Sequence, residues 1–400
     1  MKYLILGAGP SGLTFANKLL QAGEKNFLVL EKEAVAGGLC RSMLVDGAPL
    51  DIGGGHFLDV RDSEVTEFLF KFISKRKWKR YKRNSTIRIK DTEINHPFEA
   101  NIWQLPIKEQ VDYLISIAEA GCNIGKKEPE KFIDWIYWKL GTKITEEYML
   151  PYNKKMFGDN LNTLGTYWLE KLPSVSFRET LMSCLQKKMY GTQPGHSEFF
   201  YPKQGGYGIL WTTMADKIKP NIIYNAQVEK IDFNTQTVYA NNTSYSADII
   251  ITTIPWTEFK AILGMPDEVH DAITECKYTS VDIEYFPEPQ QTKAHWVYIP
   301  DSNISYHRIL VRHNFCPNSC GYWTETNSER FLKQHTQIFR YHNKYAYPLN
   351  RIKKNTAVKK IISWSKTKNV YGLGRWGEWQ HYNSDVVVKK AFDLFNILVK

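Results

Sequence analysis

The chain has 400 residues, 43% hydrophobic and 24% charged, with six cysteines and 52 lysines and arginines against 42 acidic residues. That apolar content excludes wholesale disorder. No apolar run approaches the roughly 18 residues of a membrane span, and scattered cysteines make no disulfide framework. The net charge of +10 invites an anionic partner without choosing among nucleic acid, a membrane surface and a small substrate.

Two or three domains are expected, at about 100–200 residues each. The opening residues run straight into a strand, Tyr3–Leu6, leaving no room for a signal peptide, so a cytoplasmic location is expected. Gly7-Ala8-Gly9-Pro10-Ser11-Gly12 is a glycine turn. Leu13, Ala16, Leu19 and Leu20 follow at helical spacing, and Phe27–Leu30 is a second strand ending at Glu31. Gly53-Gly54-Gly55-His56 is too rich in glycine for regular structure and suits close approach of a ligand. Residues 64–73 read as helix, and 78–94 as two strands turning near Asp91. Helical periodicity then runs from 106 to 185, with Val111, Leu114, Ile115 and Ala118 in one stripe and Phe132, Trp135, Ile136 and Leu140 in another. Strands resume at 225–232, 237–240, 247–254, 279–286, 295–299 and 304–312, and another ends at Gly374. A closing helix begins near Ser384.

The glycine turn sits between a strand and a helix, with an acid ending the next strand, which is the context a dinucleotide fingerprint requires. Its glycines let backbone approach a pyrophosphate at a helix N-terminus, and Glu31 can accept bonds from ribose hydroxyls. A second glycine pair, Gly37-Gly38, follows Glu31, and no second fingerprint for NAD(P)H is present. That extension resembles the FAD-binding amine oxidase and protoporphyrinogen oxidase superfamily.

Within it the chain resembles the UDP-galactopyranose mutases. The likeness rests on Gly54-Gly55-His56-Phe57, Asn95-His96-Pro97-Phe98-Glu99-Ala100-Asn101, Pro151-Tyr152 to Phe157-Gly158, Gly205-Gly206-Tyr207, Tyr306-His307-Arg308, Tyr347-Pro348 and Gly374-Arg375 with Asn383. It implies an α/β (α+β overall) architecture. A discontinuous Rossmann-type FAD domain would comprise 1–75, 190–262 and 362–400, a helical domain 105–189, and an antiparallel substrate domain 76–104 and 263–361. FAD, active in its reduced form, would be held by Gly7, Gly9, Ser11, Gly12, Glu31, Lys32, Gly38, Leu39, Gly55, Val228, Gly374, Arg375, Asn383 and Ser384. The implied reaction interconverts pyranose and furanose forms of a nucleotide-diphosphate sugar, for cell-surface polysaccharide. In it the reduced flavin N5 acts as nucleophile on the anomeric carbon, with no net redox change. His56, Arg308, Tyr347 and His381 are its implied catalytic residues. Asn101, Tyr152, Phe157, Lys171 and Arg178 are its implied substrate contacts. A reductant such as NAD(P)H or a reductase is the implied partner, and a homodimer would be compatible.

Three positions depart from the family. Ser176 stands where a mobile loop brings a second arginine, leaving Lys171 and Arg178 as the nearest cations. His381 replaces a tyrosine, and Phe157 a tryptophan. The resemblance would place all three in the substrate pocket. The competing reading is a flavin oxidase or dehydrogenase of the same superfamily. The basic run 75–83 holds seven cations and no acid, and without it the net charge falls to +3. A solvated edge, or a patch drawing an anionic substrate, is the expectation there rather than a nucleic-acid surface. No zinc-type ligand spacing is present, so no metal is expected.

Overall fold

The computed structural model describes residues 1–59, 61–123, 125–169, 176–190, 197–332 and 337–399. The four apolar residues of Tyr3–Leu6 are buried on both faces of a sheet, and Gly7 breaks the strand with φ of +100°. Helix Pro10–Gln21 starts at once, with Pro10 where no N–H is needed. Phe27–Leu30, Ile222–Ile223, Ile249–Thr252 and Val370–Gly372 complete an all-parallel sheet of five strands with Tyr3–Leu6 at its centre. Strands covered on both faces read as continuous apolar runs, as Ile249-Ile250-Ile251 does. The glycine turn therefore lies at the carboxyl end of the central strand, flanked by the turns after Phe27–Leu30 and Ile249–Thr252. Doubly wound sheets bind their ligands at such a place.

The closing helix Ser384–Leu398 lies against Pro10–Gln21, where Phe15 meets Phe395 edge-on at 6.2 Å. Phe15 is fully buried, and its truncation to alanine would cost about 3–5 kcal/mol. It would also loosen the register that brings Ser384 to the glycine turn.

A second sheet of seven strands runs Phe339–Pro348, Tyr278–Phe286, Tyr322–Asn327, Arg308–Val311, Trp296–Tyr298, Ser85–Ile89 and Thr92–Asn95. All its pairings are antiparallel except Trp296–Tyr298 with Ser85–Ile89. Val281, Ile283, Tyr285, Leu310 and Trp323 pack from it into the same core as the parallel sheet. Helices Ile107–Gly121, Phe132–Ile144, Leu150–Phe157 and Phe177–Gln186 gather on a further core that also takes in Ile87, Ile89 and Ile94 of that sheet. The architecture is thus the expected α/β one, a dinucleotide-type parallel sheet beside an antiparallel sheet and a helical insertion. Among the described residues no helix is long and apolar enough to cross a membrane.

Several elements differ from expectation. Phe132, Trp135, Ile136 and Leu140 are buried as the periodicity requires, but the preceding helix buries Tyr113, Ile117 and Ala120 instead of the Val111 stripe. Val111 and Ile115 face outward because the larger Tyr113 takes the inward position on the same turn. Residues 78–94 make three strands in two sheets, since Trp78–Lys82 pairs with Glu198–Pro202 and not with its sequence neighbour. Its aromatics turn inward. Trp78 is buried with its indole N–H on the Ile73 carbonyl, and Tyr81 stacks on Phe199 at 5.4 Å, so neither offers a face for a base. Strands Tyr322–Asn327 and Phe339–Pro348 and helix Lys354–Lys366 were not anticipated.

Candidate active site

Two cavities adjoin where the parallel sheet meets the antiparallel one, of about 280 Å³ and about 230 Å³. His56, Arg375, Asn383 and Ser384 line both, so these residues form the junction.

The larger cavity is lined by Gly7, Gly9, Ser11, Glu31, Lys32, Gly38, Leu39 and Val228 together with Arg375, Asn383 and Ser384. Gly55 lines the smaller one, while Gly12 and Gly374 line neither. A Cβ on Gly9 would meet no protein atom nearer than the Gly38 Cα at 3.9 Å, so it would stand in the cavity. Its absence opens the N-terminus of Pro10–Gln21, where free N–H groups and the helix dipole favour a diphosphate. Gly12 and Gly374 serve packing instead. A Cβ on Gly12 would reach 2.1 Å from the Gly7 carbonyl, and one on Gly374 1.9 Å from Ser11 Oγ.

Glu31 is buried, and burial raises its carboxyl above the ordinary range. Its Oε2 accepts the Ala8 N–H at 2.7 Å and its Oε1 the Glu33 N–H at 3.0 Å. Each oxygen keeps a lone pair for a ribose hydroxyl. At the far end the first turn of Ser384–Leu398 faces the junction. Asn383 spends its amide on Asp59 at 3.2 Å, and Ser384 its hydroxyl on Tyr207 at 2.6 Å, so the backbone N–H groups there remain for a ligand. Arg375 donates to the Tyr382 carbonyl at 2.9 and 3.1 Å and to the Ala346 carbonyl at 3.1 Å. Among the described residues no carboxylate lies within ion-pair reach of it. An opened diphosphate cradle, a ribose acceptor and a helix N-terminus beside a cation fit FAD along the whole cavity.

The smaller cavity brings together His56, Arg308, Tyr347 and His381 from four separated segments, in company that the sequence did not suggest. Arg308 is bound to Glu325 through Nε at 3.1 Å and through Nη2. Burial alone would raise the Glu325 carboxyl, yet the Arg308 guanidinium and the nearby His307 hold it far below the carboxylate range. Glu325 also accepts the Gly55 N–H at 2.9 Å, tying the glycine loop to this strand. Arg308 donates in turn to the Tyr347 hydroxyl at 3.3 Å, and the Tyr347 and His381 rings lie 5.0 Å apart. Burial and the charges of Arg375 and Arg308 push His56 down to about 4, so it is neutral at pH 7. Its Nδ1 lies 3.1 Å from the Gly54 carbonyl, which places the proton there and leaves Nε2 as an acceptor.

The expected substrate contacts scatter. Asn101 is fully buried with its amide on the Pro97 carbonyl at 2.8 Å, and Phe157 packs on Trp168 at 5.8 Å; neither lines either of these two cavities. Tyr152 lies one layer back, its ring 5.5 Å from Tyr298, while Met156 on the next turn lines the wall. Arg178 is exposed on Phe177–Gln186 and lines neither cavity, and Lys171 lies outside the described residues. Ser176 caps that helix, its Oγ accepting the Glu179 N–H and its own N–H donating to the Glu179 carboxylate. Glu325, Arg83 and the aromatic wall of Phe57, Phe199 and Trp296 were missed. A lone acid in the Thr-rich strand Tyr322–Asn327 was the available signal for Glu325.

The chain matches the family described as flavin containing amine oxidoreductase over residues 10–286. It is 24% identical over 322 residues to "Putative L-amino-acid oxidase YobN" of Bacillus subtilis (strain 168), covering 70% of this chain and 63% of that protein. The chain spans less than two thirds of the length of the curated relatives it matches. The crystal structure of reduced UDP-galactopyranose mutase superposes with a TM-score of 0.91 at 21% identity, covering 100% of this chain and 93% of that one. A double mutant of putrescine oxidase superposes at 0.67 with 15% identity, covering 100% and 98%. The fold thus carries both isomerase and oxidase chemistry. The family match spans well over half of the sequence, and its cofactor cradle is intact: the chain belongs to the flavin containing amine oxidoreductases.

Proposed function

We propose that the protein is a FAD-dependent nucleotide-sugar mutase that interconverts pyranose and furanose forms, like the mutase whose fold it shares. What supports this is the cation-rich smaller cavity opening onto the flavin cavity through His56 and Arg375. When bound and reduced, FAD supplies a nucleophilic N5, and the reaction leaves its redox state unchanged.

The chain's own residues then have defined tasks. Arg308, fixed by Glu325, offers hydrogen bonds to a departing diphosphate without drifting among rotamers. Because the Tyr347 oxygen accepts from Arg308, its O–H is free to donate toward the sugar or diphosphate. His56 Nε2 accepts from a sugar hydroxyl at the junction. Phe57 stacks on Trp296 at 5.1 Å and meets Phe199 at 4.5 Å, forming an apolar wall that keeps water from the reacting centre. The physiological reductant is NAD(P)H or a reductase.

The test is direct. The purified yellow protein, reduced anaerobically, is given UDP-galactopyranose and related UDP-, dTDP- and GDP-sugars, and products are resolved by chromatography. Ring isomerisation without consumption of reductant supports the proposal. The amino-acid oxidase relative favours a second reading, in which the same cations hold a substrate carboxylate. Oxygen-dependent peroxide release from an L-amino acid, with no isomerisation of any nucleotide sugar, would establish that one instead.

A further inference from the structure

Of the seven cations in the basic run 75–83, six are exposed and Arg83 alone is half-buried. It is also the one that lines the smaller cavity. We propose that Arg83 is a substrate-binding residue that reads an oxyanion, phosphate or carboxylate, in addition to whatever Arg308 contacts. The inference rests on the smaller cavity being the substrate site but not on the mutase chemistry.

Arg83 is held from two sides. Its Nη2 donates to the Tyr298 hydroxyl at 2.9 Å, and its guanidinium lies 4.5 Å over the Trp296 ring. The Trp296 indole N–H also donates to the Tyr298 hydroxyl, at 2.9 Å, which locks the three side chains into one unit. A stacked, hydrogen-bonded guanidinium has already lost its rotamer entropy before a ligand arrives. Tyr298 stands directly across from Arg308 on the neighbouring strand. Arg83 and Arg308, which both line the cavity, therefore flank one tyrosine.

The two arginines differ in what neutralises them. Arg308 is paired with buried Glu325, whereas among the described residues no carboxylate lies within ion-pair reach of Arg83. The Arg83 Nε is buried without a hydrogen-bond partner among them. The titratable neighbours offer no compensation. His96 and His295 are held neutral by burial first and the Arg83 charge second. A half-buried guanidinium with no counter-ion is costly to keep, and an anionic ligand would remove that cost. Its planar fork suits the two oxygens of a phosphate or carboxylate. The loop position Ser176, being a helix cap, brings no such group.

The experiment is calorimetric titration of the flavin-loaded protein with inorganic pyrophosphate and, separately, with malonate. Wild type is compared with Arg83→Gln, Arg83→Lys and the exposed Lys77→Gln of the same run. Arg83→Gln should weaken the tighter-binding anion by about 10- to 100-fold, as loss of a charged hydrogen-bonding partner does. Arg83→Lys should recover only part, and Lys77→Gln should stay within about twofold of wild type. Whichever anion binds more tightly identifies the group that is read. Equal affinity in wild type and Arg83→Gln overturns the proposal, as does failure of wild type to bind either anion saturably. If Arg83→Gln loses its flavin, Arg83→Lys decides by the same criterion. Arg83-dependent anion binding in a protein that isomerises no nucleotide sugar upholds this inference and removes the mutase reading. Isomerisation with an unchanged KM in Arg83→Gln does the reverse.

Discussion

Replacing Glu325 by glutamine should destabilise the protein by about 3 kcal/mol at neutral pH. The magnitude follows from its surroundings. The Glu325 side chain is 1% exposed, binds Arg308 and the Gly55 N–H, and has His307 Nε2 at 3.7 Å. Removing one partner of a buried pair costs about 3–5 kcal/mol, mostly because the other charge is left unmet. The lower end applies here, because the Arg308 side chain is 19% exposed toward the cavity and keeps some hydration. Glutamine can still accept the Gly55 N–H, but its amide turns a donor toward a guanidinium. Arg308→Met removes the charge while keeping most of the packing length. Urea denaturation of wild type, both single variants and the double variant forms a thermodynamic cycle, in which a coupling of about 2–3 kcal/mol is expected. The double variant should be less damaged than the two singles predict. The pH dependence has a definite sign. A carboxyl held below its unfolded value, about 4.3, contributes its stability above that pH and loses it only as pH falls through the folded value. The cost of Glu325→Gln should therefore be constant from pH 8 to pH 5. Additive single variants, or a cost that vanishes by pH 6, would refute this account.

Three further outcomes are expected. His56, pushed down to about 4, should show a neutral imidazole with its proton on Nδ1 by nitrogen-15 NMR from pH 8 to pH 5.5, and an imidazolium at pH 6 would contradict the site electrostatics. Gly374→Ala places a Cβ 1.9 Å from Ser11 Oγ at φ of +77° and should abolish flavin retention. Gly23→Ala, at φ of +82° with open space around it, should cost only about 1–2 kcal/mol and keep the yellow colour, so equal flavin loss in both would show that backbone strain alone is responsible. Burial raises the Asp51 carboxyl to about 7, above its unfolded value of about 3.9. The stability this group contributes is therefore present at low pH and is lost as pH rises toward 7. Asp51 should contribute about 1 kcal/mol per unit to the gain from pH 7 down to 5, and Asp51→Asn should remove that share of the slope; an unchanged slope would remove Asp51 as a source.

The cofactor cradle was readable because its requirements are local. A strand, a turn that needs backbone approach and a helix N-terminus occupy adjacent residues, and Gly7, Gly9 and Glu31 carry their constraint in their own identities. The smaller cavity is different. Glu325 reaches Gly55 across 270 positions, and nothing in either segment alone announces the other. Arg308 was found through resemblance, but the carboxylate that fixes it was not. One missed element did leave a signal. In Phe339–Pro348, Phe339, Tyr341, Asn343, Tyr345 and Tyr347 alternate with exposed Arg340, His342 and Lys344, a period of two hidden by aromatics and amides standing where aliphatics are usual. The Val111 stripe failed for a related reason. Apolarity fixed the helical period but not its phase, and Tyr113, only partly apolar, took the core-facing position.

The charges of the smaller cavity bear on the kind of chemistry it suits. Arg83, Arg308 and Arg375 line it, and two of them help to hold His56 neutral, so His56 cannot serve as a proton donor near pH 7. Burial further raises the Tyr347 hydroxyl above its ordinary value, so it can donate a hydrogen bond without readily losing its proton. A leaving group that departs as a stable oxyanion needs such donors and cations, whereas a basic alkoxide or amine would need an acid to protonate it. A diphosphate leaves as that kind of anion. The same arginines would hold a carboxylate equally well, so charge alone does not separate mutase from oxidase. What separates them is where the anion goes during turnover: it must part from the reacting carbon in a mutase and stay attached in an oxidase. Weakening Arg308 while keeping Arg83 should therefore lower kcat more than it raises KM in the first case. In the second, where the arginine binds ground state and transition state alike, it should chiefly raise KM.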